Sequence, residues 1–337
     1  MRLKKINKKT IVLFFMPLLV ALMVVGVIFS IKFNKESKES NVTFTETIDY
    51  SYNKVYLLDN DNVLVPLTIK YETFDTQGEE LMYLINCLKE NSLVSNDNFK
   101  GLLNKEVNVT SINLNEGNLN ISFDDKFNEY DKEKELIIVE SLIWTFTDLD
   151  YVDSVSISIN EEVLTNMPVK NTPLNEKMDK HFGINNFVLT SSILHTGEMV
   201  LSYYEKVVDS KYYYVPVTHY VSNKDNLSIY DLTILTLFKD PGITSSLDVC
   251  RIFKDTSMVT SSVLTDNILY LSLTEDILFD ETTVSLDVYN ILKEVSVLFD
   301  DVKDVSFLMD LEEVMVNKAE DSEEVKVSKI ELNKYYI

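Results

Sequence analysis

Leu64-Val65-Pro66-Leu67-Thr68 is answered 150 residues later by Tyr214-Val215-Pro216-Val217-Thr218. Outward from that pair, the same ungapped register sets Val109-Thr110-Ser111 on Val259-Thr260-Ser261 and Ser122 on Ser272. It also sets Leu142 on Leu292 and Val155-Ser156 on Val305-Ser306. Where identity lapses the apolar pattern persists, with Leu119, Ile121 and Phe123 falling on Leu269, Leu271 and Leu273. One offset held over so long a stretch marks a duplicated unit.

Each copy is read from its periodicity. Val55 to Leu58 and Val63 to Lys70 flank Asp59-Asn60-Asp61-Asn62, a turn composition, which predicts a β-hairpin. Leu81, Leu84, Ile85 and Leu88 recur at helical spacing behind Glu79 and Glu80, acids that the helix dipole favours in a first turn. Val107 to Leu114 and Leu119 to Phe123 predict a second hairpin around Asn115-Glu116-Gly117-Asn118. Leu136, Val139, Ile143 and Phe146 mark a second helix with Asp131 as its N-cap. Val155, Ile157 and Ile159 alternate with serines and asparagine, a strand with one wet face. Hairpin, helix, hairpin, helix, strand predicts an α+β sandwich with both helices on one face of the sheet. The second copy repeats this order.

The N-terminus decides the compartment. Ile11 to Ile31 is an uncharged apolar run of 21 residues preceded by Arg2, Lys4, Lys5, Lys8 and Lys9. A bilayer core needs about 20 apolar residues in a helix, and the basic flank stays in the cytoplasm. The run exceeds the usual apolar region of a cleaved signal peptide, and no A-x-A-like site follows it, so an uncleaved anchor is expected. No Cys lies near its end, so a lipid anchor is not expected. The first acid is Glu36, which leaves 26 basic residues against 54 acids beyond the anchor, a balance of −28. The polar run from Lys32 to Glu46 reads as flexible chain that holds this acidic body off the membrane.

Composition excludes several chemistries. A formal charge of −23 argues against nucleic acid, which needs a basic face. Seven glycines and no G-x-G-x-x-G or P-loop argue against nucleotide phosphates. His181, His195 and His219 have no partner at metal-ligand spacing. Cys87 reads as a small buried apolar residue, and Cys250 is not its repeat equivalent. Asp59-Asn60-Asp61-Asn62 lacks the central glycine and terminal glutamate of a calcium loop, and a turn explains it better. Acid pairs such as Asp148/Asp150 and Asp300/Asp301 are read as solvated faces. No residue is nominated as catalytic, cofactor-binding or metal-binding, and no cofactor is expected.

Several segments together resemble the GerMN domain family of sporulation and spore germination proteins. They are Leu64 to Thr68 with Tyr214 to Thr218, Leu237-Phe238-Lys239-Asp240-Pro241-Gly242, Leu114 to Phe123, and Val152 to Ile157. The tandem arrangement behind an N-terminal membrane segment is also similar, and the resemblance covers roughly Val55 to Val316. It implies a non-enzymatic fold similar to the ring-building motifs of secretion-type assemblies. It also implies a role in a membrane-associated complex between the two membranes of a developing spore.

The expected organisation follows. Residues 1–10 are cytoplasmic, 11–31 a transmembrane anchor and 32–53 a polar linker. Residues 54–168 and 199–316 are the two GerMN-like α+β domains, with a linker at 169–198 and a tail at 317–337. Each copy is expected to fold by itself. The expected function is a single-pass, extracytoplasmic interaction or scaffold module. Its partners are envelope or membrane proteins, with self-assembly into an oligomer or ring included. Two further readings are carried: a ligand- or wall-binding protein using Tyr212 to Tyr214, and a carboxylate-based wall hydrolase.

Overall fold

The computed structural model describes residues 49–186, 197–238, 249–252, 259–274, 283–310, 312–317 and 332–335. The expected anchor at 11–31 and most of the segment following it lie outside these. No helix among the described residues is long and apolar enough to cross a membrane.

The first copy opens with β1 (Tyr50–Leu58) and β2 (Leu64–Glu72), antiparallel with Leu58 opposite Leu64. Their turn is closed by the Asp59 carboxylate, which accepts from the amides of Asp61 at 2.9 Å and Val63 at 2.8 Å. This is the turn chemistry that short acidic side chains supply. Helix α1 (Gln77–Cys87) is capped by the Thr76 hydroxyl, which accepts from the Glu79 amide, and it buries Leu81, Leu84 and Ile85. Strands β3 (Val109–Asn115) and β4 (Asn118–Phe123) form the second hairpin. Helix α2 (Glu135–Phe146) then crosses over, so that β5 (Ser154–Ile159) runs parallel to β4, and the short β6 (Glu162–Val163) closes the sheet β3-β4-β5-β6.

The second copy follows with β7 (Glu198–Val208), β8 (Lys211–Val221), α3 (Ile229–Leu237) and β9 (Val249–Arg251). Next come β10 (Val259–Thr265), β11 (Ile268–Leu273), β12 (Thr283–Ser285), α4 (Leu286–Val295) and β13 (Asp304–Met309). The last elements are β14 (Glu312–Glu313), β15 (Met315–Asn317) and β16 (Lys334–Tyr335). The sheet β10-β11-β13-β14 reproduces the first copy's sheet strand for strand at the same offset of 150. Even the register shift recurs, between Val109 and Ser111 and between Val259 and Ser261.

Four sequence expectations change. Asp131 caps a 3-10 turn at Lys132–Lys134, and the α-helix itself starts at Glu135. The serine face of β5 is not wet: Ser154, Ser156 and Ser158 are buried. The chain after β6 folds back over it, where Met178 pairs with Val155 and the Ser156 hydroxyl donates to the Glu176 carbonyl at 2.6 Å. That returning chain is part of the segment read as a polar linker, yet Met178, Lys180, Ile184 and Asn185 are buried. The copies are also not separate bodies. Residues 49–337 form one compact unit, and one apolar cluster takes in Leu57, Leu64 and Trp144 with Tyr203, Val215 and Val217.

Candidate functional site at the seam between the copies

The repeated V-P-x-T segments lie in β2 and β8, each a strand whose outer edge points at the other copy. Proline has no amide hydrogen and is tolerated where a strand faces away from its ladder partner. The outward backbone groups around Pro66 and Pro216 still need partners, because buried amides and carbonyls are rarely left unpaired. Two asparagines supply them. Asn185 accepts from the Leu64 amide at 2.9 Å and donates to the carbonyls of Leu64 at 2.8 Å and Pro216 at 2.9 Å. Asn333 accepts from the Tyr214 amide at 2.7 Å and donates to the carbonyls of Tyr214 at 2.8 Å and Pro66 at 2.7 Å.

The threonines of the two motifs hold the residue before each asparagine. The Thr218 amide donates to the Ile184 carbonyl at 2.9 Å, and the Ile184 amide donates to the Thr218 hydroxyl at 2.9 Å. In the counterpart, the Thr68 hydroxyl donates to the Leu332 carbonyl and the Thr68 amide to the Asn333 carbonyl at 3.1 Å. Beyond it β16 pairs with β2 in parallel, Lys334 beside Thr68 and Tyr335 beside Ile69. Each copy's tail therefore lies against the other copy's second strand. This reciprocity is that of an isologous two-fold contact, made here within one chain.

Asn185→Ala removes three hydrogen bonds at a buried position and is expected to cost about 2–4 kcal/mol, since each orphaned buried group costs about 1–3 kcal/mol. Asn333, half-buried, should cost less when changed to alanine. Urea unfolding of the two variants against the parent measures both, and equal, near-zero losses would remove the asparagines from this role.

Charged groups lock the same seam. The Lys54 ammonium, on β1, lies 3.4 Å from the Asp148 carboxylate and is hydrogen-bonded to Glu294 of the second copy. The Tyr203 hydroxyl donates to the other oxygen of Glu294 at 3.0 Å, and Lys180 approaches Asp148 to 3.8 Å. Burial pulls the Lys54 pKa down, but the attraction of Asp148 and Glu294 outweighs it and holds the ammonium above the ordinary lysine value. Lys206 on β7 reaches the hairpin turn of the first copy, 2.8 Å from Asp61 and 3.3 Å from Asp59. In the repeat register Lys54 falls on Tyr204 and Lys206 on Tyr56, so the ion pairs break the two-fold likeness that the asparagines obey.

Glu140, buried on α2, accepts from the Asn185 amide at 3.1 Å. Burial pushes its carboxyl up to about 8, and the single amide bond only partly offsets that. The equivalent residue of the second copy is the neutral Asn290. Nearby, Trp144 donates its indole N–H to the Gly183 carbonyl at 2.9 Å and fastens the tail to its own helix. Glu135 receives the amides of Val169, Lys170 and Thr172 and the Tyr130 hydroxyl. Burial would raise its pKa, yet these donors prevail and lower it to about 2.

The residues weighed for chemistry are placed elsewhere. His181 is exposed beside Asp179, His219 meets the Tyr204 hydroxyl at 2.9 Å, and His195 lies outside the described residues. Cys87 is free and buried, and burial pushes its thiol up to about 12 despite a hydrogen bond from Tyr83. Tyr213 packs edge-on against Phe99 and Tyr214 is half-buried, leaving Tyr212 as the exposed member of that cluster. Among the described residues no group of His, Cys, Asp and Glu could hold a metal ion. Asp148, read as one of a solvated acid pair, is instead the partner of Lys54, while Asp59 and Asp61 serve the seam from the turn that the sequence predicted, and Glu294 had no reading of its own. Lys54, Lys206, Asn185 and Asn333 carried no mark of their own in the pattern. The available signal was Ile184-Asn185 against Leu332-Asn333, an apolar-Asn pair that recurs at 148 rather than 150.

Comparison with known proteins places this architecture. Residues 54–165 match the model of the Germane family, described as sporulation and spore germination. The spore germination protein GerM of Bacillus subtilis strain 168 is 27% identical over 270 residues, covering 79% of this chain and 73% of that protein. The solved structure of the tandem GerMN domains of the sporulation protein GerM from Bacillus subtilis aligns with a TM-score of 0.69 at 24% identity. That alignment covers 81% of this chain and 96% of the solved one, and it shares the two-copy fold. Residues 54–165 thus match the Germane model, and the chain as a whole is similar in sequence to the spore germination protein GerM and in its duplicated α+β fold to the tandem GerMN domains.

Proposed function

We propose that the chain is a non-enzymatic scaffold, anchored in the membrane by Ile11 to Ile31, that binds envelope proteins outside the cytoplasm during sporulation or germination. The observation that carries this reading is the seam. Lys54, Glu294 and Lys206 are buried, and each is spent on holding the two copies together, with Asp148 supporting Lys54 from the same copy. Asn185 and Asn333 do the same for the backbone edges. A rigid pair of copies has a use in assembly, where two surfaces must be presented at a set spacing. The GerM relative, named for spore germination, supports the setting.

The test is recovery of partners from crosslinked membranes of cells carrying a tagged chain. One stoichiometric extracytoplasmic membrane protein is expected. A chain that comes out alone and cleaves wall polymer, or holds a wall sugar tightly, would replace the scaffold with one of the other two readings. Topology is tested separately: a reporter fused after Ile337 should be active outside the cytoplasm, and the mature protein should retain its N-terminal 30 residues. A mature N-terminus near Lys32 would turn the anchor into a signal peptide.

A further inference from the structure

The two tails at the seam are alike in what they touch and unlike in attachment. The first is fastened to its own copy as well as to the other: Gly183 is held by Trp144, and the Asn185 amide by Glu140. The second is held on strand edges. Leu332 and Asn333 engage Pro66, Thr68 and Tyr214, and Lys334–Tyr335 adds to β2 through backbone pairing. Backbone pairing on a strand edge is indifferent to which chain supplies the strand; side chains supply the selectivity. Here that selectivity comes from the buried Leu332 side chain and from the Asn333 amide, which satisfies Pro66 and Tyr214 together.

We infer that the outer edge of β2 is a strand-acceptor site for the Leu332–Tyr335 segment, and that it takes this segment from a second copy of the chain as well as from its own. Fourteen residues separate Asn317 from Leu332 in the sequence, a length that at full extension is at most about 50 Å. Exchange of an identical element is a low-cost route to association, because each hydrogen bond broken within one chain re-forms between two. The acidic charge of the chain opposes close approach, so exchange should rise with protein concentration and with salt. The inference stands on the geometry of β2 and does not depend on the scaffold reading.

The experiment uses the full chain with Cys87 and Cys250 changed to serine. One preparation carries Thr68→Cys, a second Lys334→Cys, and a third both, since these positions are direct neighbours in the parallel pair. Mixing the first two and oxidising should give a covalent dimer joined through position 68 of one chain and position 334 of the other, in a yield that rises with concentration. The third should close within itself when dilute. Closure of the third with no mixed dimer at any concentration or salt would overturn the inference. Independently, a chain ended after Glu331 should bind a synthetic peptide of residues 328–337 saturably, and Asn333→Ala in the peptide should weaken binding at least tenfold. A truncated chain that folds and binds neither peptide would overturn the inference as well. If the truncated chain does not fold, the cysteine mixture decides.

Discussion

Lys54→Ala should be the most damaging single change at the seam, with an expected loss of about 3–5 kcal/mol of folding stability. That is the usual cost of stripping one partner from a buried ion pair. The substitution leaves Asp148 and Glu294 facing each other with their common cation gone, and Glu294 is nearly inaccessible to water. Lys180, at 3.8 Å from Asp148, compensates that carboxylate weakly. Because Glu294 belongs to the second copy, the damage should reach both copies. Urea unfolding followed by tryptophan fluorescence reports the first copy through Trp144, the single tryptophan of the chain, and far-UV circular dichroism reports both. The two midpoints should fall together. A loss below about 1 kcal/mol would mean that the pair is solvated and contributes as a surface salt bridge does. Replacing Lys54, Asp148 and Glu294 together by apolar residues should recover much of the loss, because the penalty comes from the orphaned charges.

Glu140→Gln should raise stability at pH 8 and flatten its dependence on pH. The parent's Glu140 holds its proton up to about 8 in the folded chain, whereas an unfolded glutamate releases it near 4.3. Between those values the folded state binds the extra proton, so stability falls as the pH rises and levels off above about 8. The slope contributed by one such group is about 1.4 kcal/mol per pH unit across the window. Glutamine keeps an oxygen for the Asn185 amide and cannot ionise, so the variant should match the parent near pH 4 and exceed it at pH 8 by a few kcal/mol. Parallel stability curves for parent and variant from pH 5 to 9 would show that water reaches Glu140 and that its proton plays no part. Since Asn185 touches Leu64 and Pro216, the gain should also appear as slower hydrogen exchange at the amide of Leu64.

The part of this protein legible in its sequence is the part encoded over short distances. The apolar stripe Leu81, Leu84 and Ile85, the turn at Asp59 and the alternation in β4 and β11 each report on neighbours within a few positions. A repeat compares the chain with itself, so the duplication was legible too, and with it the α+β class and the order of elements. The resemblance carried by the V-P-x-T segments was legible for the same reason.

What only the tertiary structure decided is where the polar residues find their partners. Lys54 and Glu294 are 240 residues apart, Lys206 and Asp61 145, and Asn185 and Leu64 121. An acid in this sequence looks the same whether it is solvated like Asp179 or spent on a buried lysine like Asp59. Amphipathic periodicity marks which face of an element is buried and says nothing of which distant group will meet a polar side chain there. The serines of β5 show the same gap, since alternation predicted water and the returning chain supplied Glu176 and Met178. Local hydrophobic pattern thus determined the two copies by itself, whereas burial of unlike charges and of unpaired backbone edges, a property of the assembled surfaces alone, made them one body.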